Sequence, residues 1–212
     1  MGSRGSLNGN SIKIRELKKK LKLSETQKAV LIGKILGDGC LIPTATSRNY
    51  RLKVEHQAKH KEYVLWAAEV FGQWVISDIK FSQNNNSWVF KTISHPEITK
   101  FHEIFYENRR KIIPKKIKNF LLNPLSLAVW IMDDGSLSYS RKTMTISSHS
   151  FSKSENLLLI EALKKNFNLE ANLNWDGKGY RLYFPVSTAE SLVKIISPFV
   201  LPVMRYKLPL TP

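Results

Sequence analysis

A single cysteine, Cys40, in 212 residues rules out an intrachain disulfide, which fits a reducing compartment. No apolar run approaches the ~20 residues that cross a bilayer. The longest candidate, Leu121 to Met132, is broken by Asn123, Pro124 and Ser126. Met1 to Asn10 are rich in Gly, Ser and Asn and lack the apolar core of a secretory signal, so they read as a flexible leader or an expression-derived extension. Acidic residues are scarce: 17 Asp plus Glu stand against 33 Lys plus Arg, for a net charge of +16. That excess selects a polyanionic partner, nucleic acid ahead of an anionic membrane. The histidines and the cysteine show no zinc-ligand spacing, which argues against a histidine-based nuclease. Hydrophobic residues are not scarce; at 42% of the chain they are ordinary for a globular protein, and the length allows a sizeable core.

What is present is a duplication. Leu31-Ile32-Gly33-Lys34-Ile35-Leu36-Gly37-Asp38-Gly39 is matched by Leu127-Ala128-Val129-Trp130-Ile131-Met132-Asp133-Asp134-Gly135, with 96 positions between Asp38 and Asp134. Each copy is an apolar helical stretch that stops at an Asp followed by Gly. An isolated Asp-Gly pair after a helix is an ordinary turn; two copies with the same apolar run in front are not. If the helices pack side by side, Asp38 and Asp134 converge. Gly33 and Gly37 leave a track without side chains, four residues apart, along which a second helix can approach closely. The second copy carries Val129 and Asp133 at those places, so the pair is expected to be less symmetric than a homodimer.

The surrounding chain repeats as well. Residues 11 to 23 place Ile14, Leu17 and Leu21 on one face among lysines, which reads as a short basic amphipathic helix or as an arm that orders on nucleic acid. Ser24-Glu25-Thr26-Gln27 has capping-box spacing and opens the first signature helix, with Gly39 as the permissive residue for leaving it. Residues 51 to 55 alternate as a strand. A helix from Lys59 to Phe71 follows, then strands at 79–83 and 88–93 and a helix from Glu97 to Tyr106, opened by Ser94 and Pro96. In the second copy, Asn123 and Pro124 open the signature helix. Residues 143 to 147 alternate as a strand, and Ser152 with Glu155 caps a helix to Phe167. Asp176-Gly177 forms a hairpin turn, and Ser187 with Glu190 caps a last helix. The order of helices and strands thus occurs twice. Lys111 and Lys207 each lie 73 residues past their signature Asp, each closely followed by a proline. The chain divides as 1–23 (leader and basic arm), 24–123 (first half) and 124–212 (second half), a pseudo-two-fold fusion.

The chemistry follows from the helix ends. A helix C-terminus carries unsatisfied carbonyls and partial negative charge, so an Asp there is electrostatically unfavourable and two such ends together are worse. A divalent cation at the junction makes sense of the placement, because carboxylate and carbonyl oxygens suit magnesium, and a bound metal can polarise a phosphate and activate water.

These paired signatures, together with Asn123-Pro124-Leu125-Ser126-Leu127 running into the second copy and the terminal Met204-Arg205-Tyr206-Lys207-Leu208-Pro209, resemble the LAGLIDADG homing endonucleases, in the intron-encoded branch with two motifs on one chain. The resemblance covers residues 24 to 212. It implies an α+β fold of two αββαββα halves, whose signature helices form the central interface and whose antiparallel sheets saddle DNA. It implies a monomer that cuts an asymmetric double-stranded DNA target and leaves short 3′ overhangs. Asp38 and Asp134 would hold the metal, magnesium or manganese in its place, with help from the carbonyls of Gly37 and Asp133. Lys111 and Lys207 match the family's basic residues near the scissile phosphates, although Lys115 and Lys116 lie close enough to leave the first assignment open. DNA contacts are expected from the polar strand faces, through Arg48, Arg51, Lys53, Gln83, Lys91, Arg141, Lys142, Asn172, Asn174, Lys178 and Arg181. The alternative is a maturase that binds its host intron RNA and assists splicing, alone or beside nuclease activity. The Lys/Ile/Asn-rich character fits an AT-rich genome such as that of a mitochondrion or chloroplast, with a bacterial or phage host as the other option.

Overall fold

The computed structural model describes residues 12–45 and 47–209; the proposed leader from Met1 to Asn10 lies outside the described residues. Ahead of the first half, the basic arm forms α1 (Ile12–Lys20), which buries Ile14 and sends Leu21 and Leu23 into the core. Next come α2 (Glu25–Leu36), β1 (Cys40–Thr44), β2 (Ser47–Gln57), α3 (Lys61–Phe71), β3 (Lys80–Ser82), β4 (Ser87–Lys91) and α4 (Pro96–Phe105). A two-residue ladder, β5 (Tyr106–Glu107) with β6 (Arg110–Lys111), ends this half. The second half repeats the order as α5 (Pro124–Asp134), β7 (Gly135–Leu137), β8 (Met144–Ser147), α6 (Lys153–Phe167), β9 (Asn172–Trp175), β10 (Tyr180–Phe184) and α7 (Val186–Ile196). A 3-10 turn, Pro202–Lys207, closes the chain.

Each half forms a four-stranded antiparallel sheet, in the order β1-β2-β4-β3 and β7-β8-β10-β9. The inner faces carry Leu52, Val54 and Phe90 in one sheet and Met144, Ile146, Leu182 and Phe184 in the other, all buried. The alternate residues face out, as a half-buried sheet requires. The motif helices α2 and α5 pack on each other between the halves. Both are apolar almost all round because both are enclosed, with Ala29 through Leu36 and Leu125 through Asp133 buried.

The helix starts follow local chemistry. Ser24 accepts from the Gln27 N–H while the Gln27 side chain accepts from the Ser24 N–H; Ser152 and Glu155 do the same at α6. Asn123 accepts from Leu125 N, with Pro124 in the first turn.

Three expectations need correction. Ser187 does not cap α7: the helix starts two residues earlier, on Pro185, whose carbonyl accepts from Ala189 N at 2.7 Å. The last helix of the first half has Pro96 in its first turn as expected, but its cap is His95 rather than Ser94, with His95 Nδ1 accepting from Glu97 N at 3.1 Å. Gly39 and its counterpart Gly135 are not needed for a left-handed backbone; among the described glycines only Gly72 and Gly177 have positive φ. They are needed because each strand folds tightly back over the last helical turn. A Cβ on Gly39 would lie 2.9 Å from the Lys34 carbonyl oxygen, and one on Gly135 would lie 2.5 Å from that of Ile131.

Candidate active site

Asp38 and Asp134 meet where α2 and α5 end, and the helix contact that brings them there depends on α2 having no side chain at two places. A Cβ on Gly33 would lie 2.5 Å from the Ser126 carbonyl oxygen and 2.6 Å from Val129 Cβ; one on Gly37 would lie 2.5 Å from Asp133 Cβ. Gly33 therefore faces Val129 and Gly37 faces Asp133, the same partners that the sequence alignment pairs. Each glycine admits the bulk of the residue opposite, so the axis is pseudo-symmetric with the bulk on one side.

The two lysines arrive by different backbone routes at equivalent points. Lys111 sits on β6, whose turn places Asn108 and Arg109 at φ 48° and 66°, the positive values that a two-residue type I′ hairpin needs. The Tyr106 hydroxyl anchors this hairpin by accepting from Leu41 N at 2.9 Å. Lys111 Nζ then donates to the Gly37 carbonyl at 2.5 Å. Lys207, on the closing 3-10 turn, donates to the Asp133 carbonyl at 2.5 Å. Both carbonyls expected to assist a metal thus already receive an ammonium. Lys115 and Lys116 are exposed and form none of these contacts. Burial lowers both ammonium pKa values, offset in part by Asp134 around Lys111 and by Asp133 and Asp38 around Lys207.

Asp133 takes a second part that the sequence did not reveal. Its side chain is buried and accepts from Lys34 Nζ at 2.9 Å, from the Tyr63 hydroxyl at 2.7 Å and from Asp38 N at 3.0 Å. Lys34 is fully buried in the last turn of α2, 3.8 Å above the centre of the Tyr63 ring and 2.8 Å from His56 Nε2. An ion pair between the halves therefore lies beneath the carboxylate junction. Burial pushes the Asp133 carboxyl up, but the Lys34 ammonium, His56 and the hydrogen bonds from Lys34 and Tyr63 hold it below its ordinary value. Burial likewise lowers Lys34, with Asp133 opposing. His56 is pushed down to about 3, first by burial and then by Lys34. Its Nε2 accepts from Lys34, and its Nδ1 lies 3.7 Å from Asp38 Oδ2.

Asp38, His56 and Asp133 bring three ligand-type atoms within 4.8 Å of one another, which the scattered histidines of the sequence did not foretell. The Lys34 ammonium already serves Asp133 and His56, so this cluster has its own internal cation. The signal for it was a lysine inside an apolar helix run, where a solvated face was not available. Tyr63 and His56 carried no such signal.

Among the described residues neither Asp38 nor Asp134 forms an ion pair with a lysine or arginine, although Lys111 and Lys207 lie near enough to oppose part of the rise in both carboxyls. The Asp38 carboxylate lies 3.7 Å from His56 Nδ1, and among the described residues no ion pair engages Asp134. Burial raises the Asp38 carboxyl, and Asp133 adds to it. Burial, then Asp38 and Asp133, pushes Asp134 up to about 7. Two half-buried carboxylates held against their own repulsion, beside helix-end carbonyls, are a hard-oxygen donor set that suits a divalent cation.

The other sequence candidates lie on the sheets and their turns. Arg51, Lys53 and Lys91 share the outward face of the first sheet, where Lys53 pairs with Lys91 across β2 and β4. Lys53 also forms an ion pair with Glu55 at 2.5 Å. Arg48 is exposed near the start of β2, out of phase with Arg51 and Lys53, and Gln83 is exposed in the β3–β4 turn. In the second sheet Asn172, Asn174 and Arg181 share the outward face. Arg181 is held by Asp176 and neighbours His149. Arg141 and Lys142 lie in the β7–β8 loop, where Arg141 donates to the Tyr206 carbonyl, and Lys178 lies in the β9–β10 turn. Six of these residues therefore line the two outward sheet faces, Arg48 does not share that face, and Gln83, Arg141, Lys142 and Lys178 sit in the turns beside them, while Asp38, Asp134, Lys111 and Lys207 gather at the junction.

Known proteins are similar to this chain in sequence and fold. The chain is 29% identical over 210 residues to DNA endonuclease I-ChuI of Chlamydomonas applanata, covering 88% of this chain and 96% of the relative. It is 27% identical over 191 residues to the cytochrome b mRNA maturase bI2 of Debaryomyces hansenii, covering 84% and 72%. Among solved structures, the homing endonuclease I-WcaI bound to its DNA recognition sequence superposes with a TM-score of 0.88 at 29% identity, covering 98% of this chain and 97% of that one. The profile of the LAGLIDADG DNA endonuclease family matches residues 28–192. That stretch contains both signature motifs and both four-stranded sheets, and the chain belongs to the LAGLIDADG DNA endonuclease family.

Proposed function

We propose that the protein is a site-specific double-strand DNA endonuclease of the homing type, which hydrolyses one phosphodiester in each strand with the help of a divalent cation. The observation that carries this reading is the convergence of Asp38 and Asp134 between two lysines, each lysine donating to the carbonyl one residue before an aspartate. Magnesium is the cation we assign, with manganese able to replace it, because the available donors are hard oxygens.

Asp38 and Asp134 would hold the cation, which supplies Lewis-acid polarisation of the phosphate and an acidified water. The chain's own groups do the remaining work. The carboxylates fix the centre of the site at the meeting of two rigid helices. Lys111 and Lys207 present ammonium groups to either side of it, placed to orient water or to stabilise charge on the phosphate. The Asp133 carboxylate, neutralised by Lys34, holds the backbone N–H of Asp38 and so fixes the end of α2. The outward sheet faces would sit in the major groove as a saddle, Lys and Arg on phosphates and the polar side chains on base edges. The two faces differ residue by residue, so the target is asymmetric.

Similarity to a maturase favours a second reading, in which the chain also assists intron splicing. RNA folding needs neither aspartate, and the retention of both ranks it second. The test is a plasmid library of candidate insertion sites incubated with the protein and magnesium. Linear product with short 3′ overhangs from one sequence class is the expected outcome. Tight DNA binding with no cleavage of any site, together with splicing assistance that survives Asp38→Asn plus Asp134→Asn, reverses the order.

A further inference from the structure

Each active-site lysine is preceded by a residue that reaches into the other half. Arg110, before Lys111, donates from Nη2 to Glu155 Oε2 at 3.0 Å and to the Ser150 carbonyl at 3.3 Å. The other oxygen of Glu155 accepts from Ile113 N at 3.0 Å, so α6 grips the chain on both sides of Lys111. Tyr206, before Lys207, places its hydroxyl 3.0 Å from His60 Nε2, with the two rings 16° from parallel. His60 is the N-cap of α3 and Glu155 lies in the first turn of α6. These are equivalent helix starts, so the two grips are related by the pseudo-two-fold axis. Their chemistry is not: one is a guanidinium–carboxylate pair, the other an imidazole–phenol pair.

A lysine is a flexible stem with a charged tip. The carbonyl bonds of Lys111 and Lys207 fix the tips, and the cross-half grips fix the backbone from which each stem grows. Little global stability rides on either grip: Arg110 is 59% exposed and Tyr206 50% exposed, and ion pairs or hydrogen bonds at that exposure contribute little. Placement is another matter, since a shift of about 1 Å in a reacting group costs on the order of 100-fold in rate.

We propose that Arg110 with Glu155, and His60 with Tyr206, are positioning pairs that each set the cleavage rate of one DNA strand, so that loosening one pair turns the double-strand cutter into a preferential nickase. The assignment rests on the endonuclease reading above. It makes the fused dimer two separately adjustable half-reactions, each tuned from the opposite half.

Single-turnover cleavage of a target duplex carrying a different label on each strand tests it. Tyr206→Phe keeps the ring and removes the hydroxyl. Arg110→Gln removes the ion pair while leaving Glu155 to cap α6 and to hold Ile113 N. Each variant should slow one strand by about 10-fold or more and leave the other strand near the native rate, and the slowed strand should differ between the two. DNA affinity and the urea midpoint should match those of the native protein. A native protein that cuts both strands, with variants that slow both alike or that slow the same strand, overturns this assignment alone. A native protein that cuts neither strand overturns the endonuclease reading and this assignment with it.

Discussion

Replacing Lys34 by Met should be among the most damaging single changes outside the carboxylate junction, although Lys34 touches no solvent. The methionine fills a similar volume, so the loss is electrostatic rather than a cavity. It leaves Asp133 buried with two hydrogen-bond donors, Tyr63 and Asp38 N, and without its cation. Removing one partner of a buried ion pair costs about 3–5 kcal/mol, against a total stability of about 5–15 kcal/mol for a domain. For a chain of this size that is a fall of about 10 °C in Tm. Lys34→Met combined with Asp133→Asn removes both charges and keeps an amide oxygen to accept from Tyr63 and Asp38. The double variant should regain at least half of the loss, so the two single costs are strongly non-additive. Urea unfolding of the native protein, both single variants and the double variant closes the cycle. A single-variant cost below about 1 kcal/mol, or a double-variant cost equal to the sum of the singles, would show that the pair carries no coupling and would refute the reasoning.

Gly33→Ala should cost about 1–3 kcal/mol by overpacking, since its Cβ meets the backbone oxygen of Ser126 at 2.5 Å; thermal melts and cleavage rates should fall together, and an unchanged melting point contradicts the close approach. Asp134→Asn should stabilise the metal-free protein at high pH while abolishing cleavage. The folded-state carboxyl is pushed up to about 7 from an ordinary 3.8, so the folded chain keeps a proton that the unfolded chain releases. Its contribution to stability therefore declines as pH rises from about 4 through about 7. In EDTA, the variant should match the native protein near pH 4 and exceed it at pH 8 by urea midpoint; a gap that shrinks with rising pH contradicts the sign. DNA binding should weaken with a log–log salt slope of roughly −0.9 per phosphate neutralised, and Lys53→Ala with Lys91→Ala should flatten that slope in a fluorescence-anisotropy titration.

Much of the fold was legible because its signals are local. Ser24, Ser152 and Asn123 announce helix starts through side chains that reach only two or three residues ahead. Leu52 and Val54 announce a strand by alternation. The pairing of Asp38 with Asp134 and of Lys111 with Lys207 was legible because duplication turns a spatial relation into a fixed sequence offset. What escaped lacks such an offset. Lys34 aligns with Trp130 rather than another lysine, and Asp133 aligns with Gly37, so the ion pair between them breaks the repeat. His56 and Tyr63 join it only through the packing of β2 and α3 against the junction. The β5–β6 hairpin that carries Lys111 is two residues a side, and Asn108-Arg109 is a weak turn signal on its own. Ser187 misled because its capping spacing was intact, while Pro185 had already started the helix.

The most direct measurement is magnesium-dependent cleavage of a target plasmid by Asp38→Asn and by Asp134→Asn, each assayed separately, with DNA affinity measured in calcium. Both variants should bind the target as tightly as the native protein and produce neither linear nor nicked product, because the two carboxylates hold one shared centre. Linear product from either variant at the native rate would contradict that centre and the function built on it.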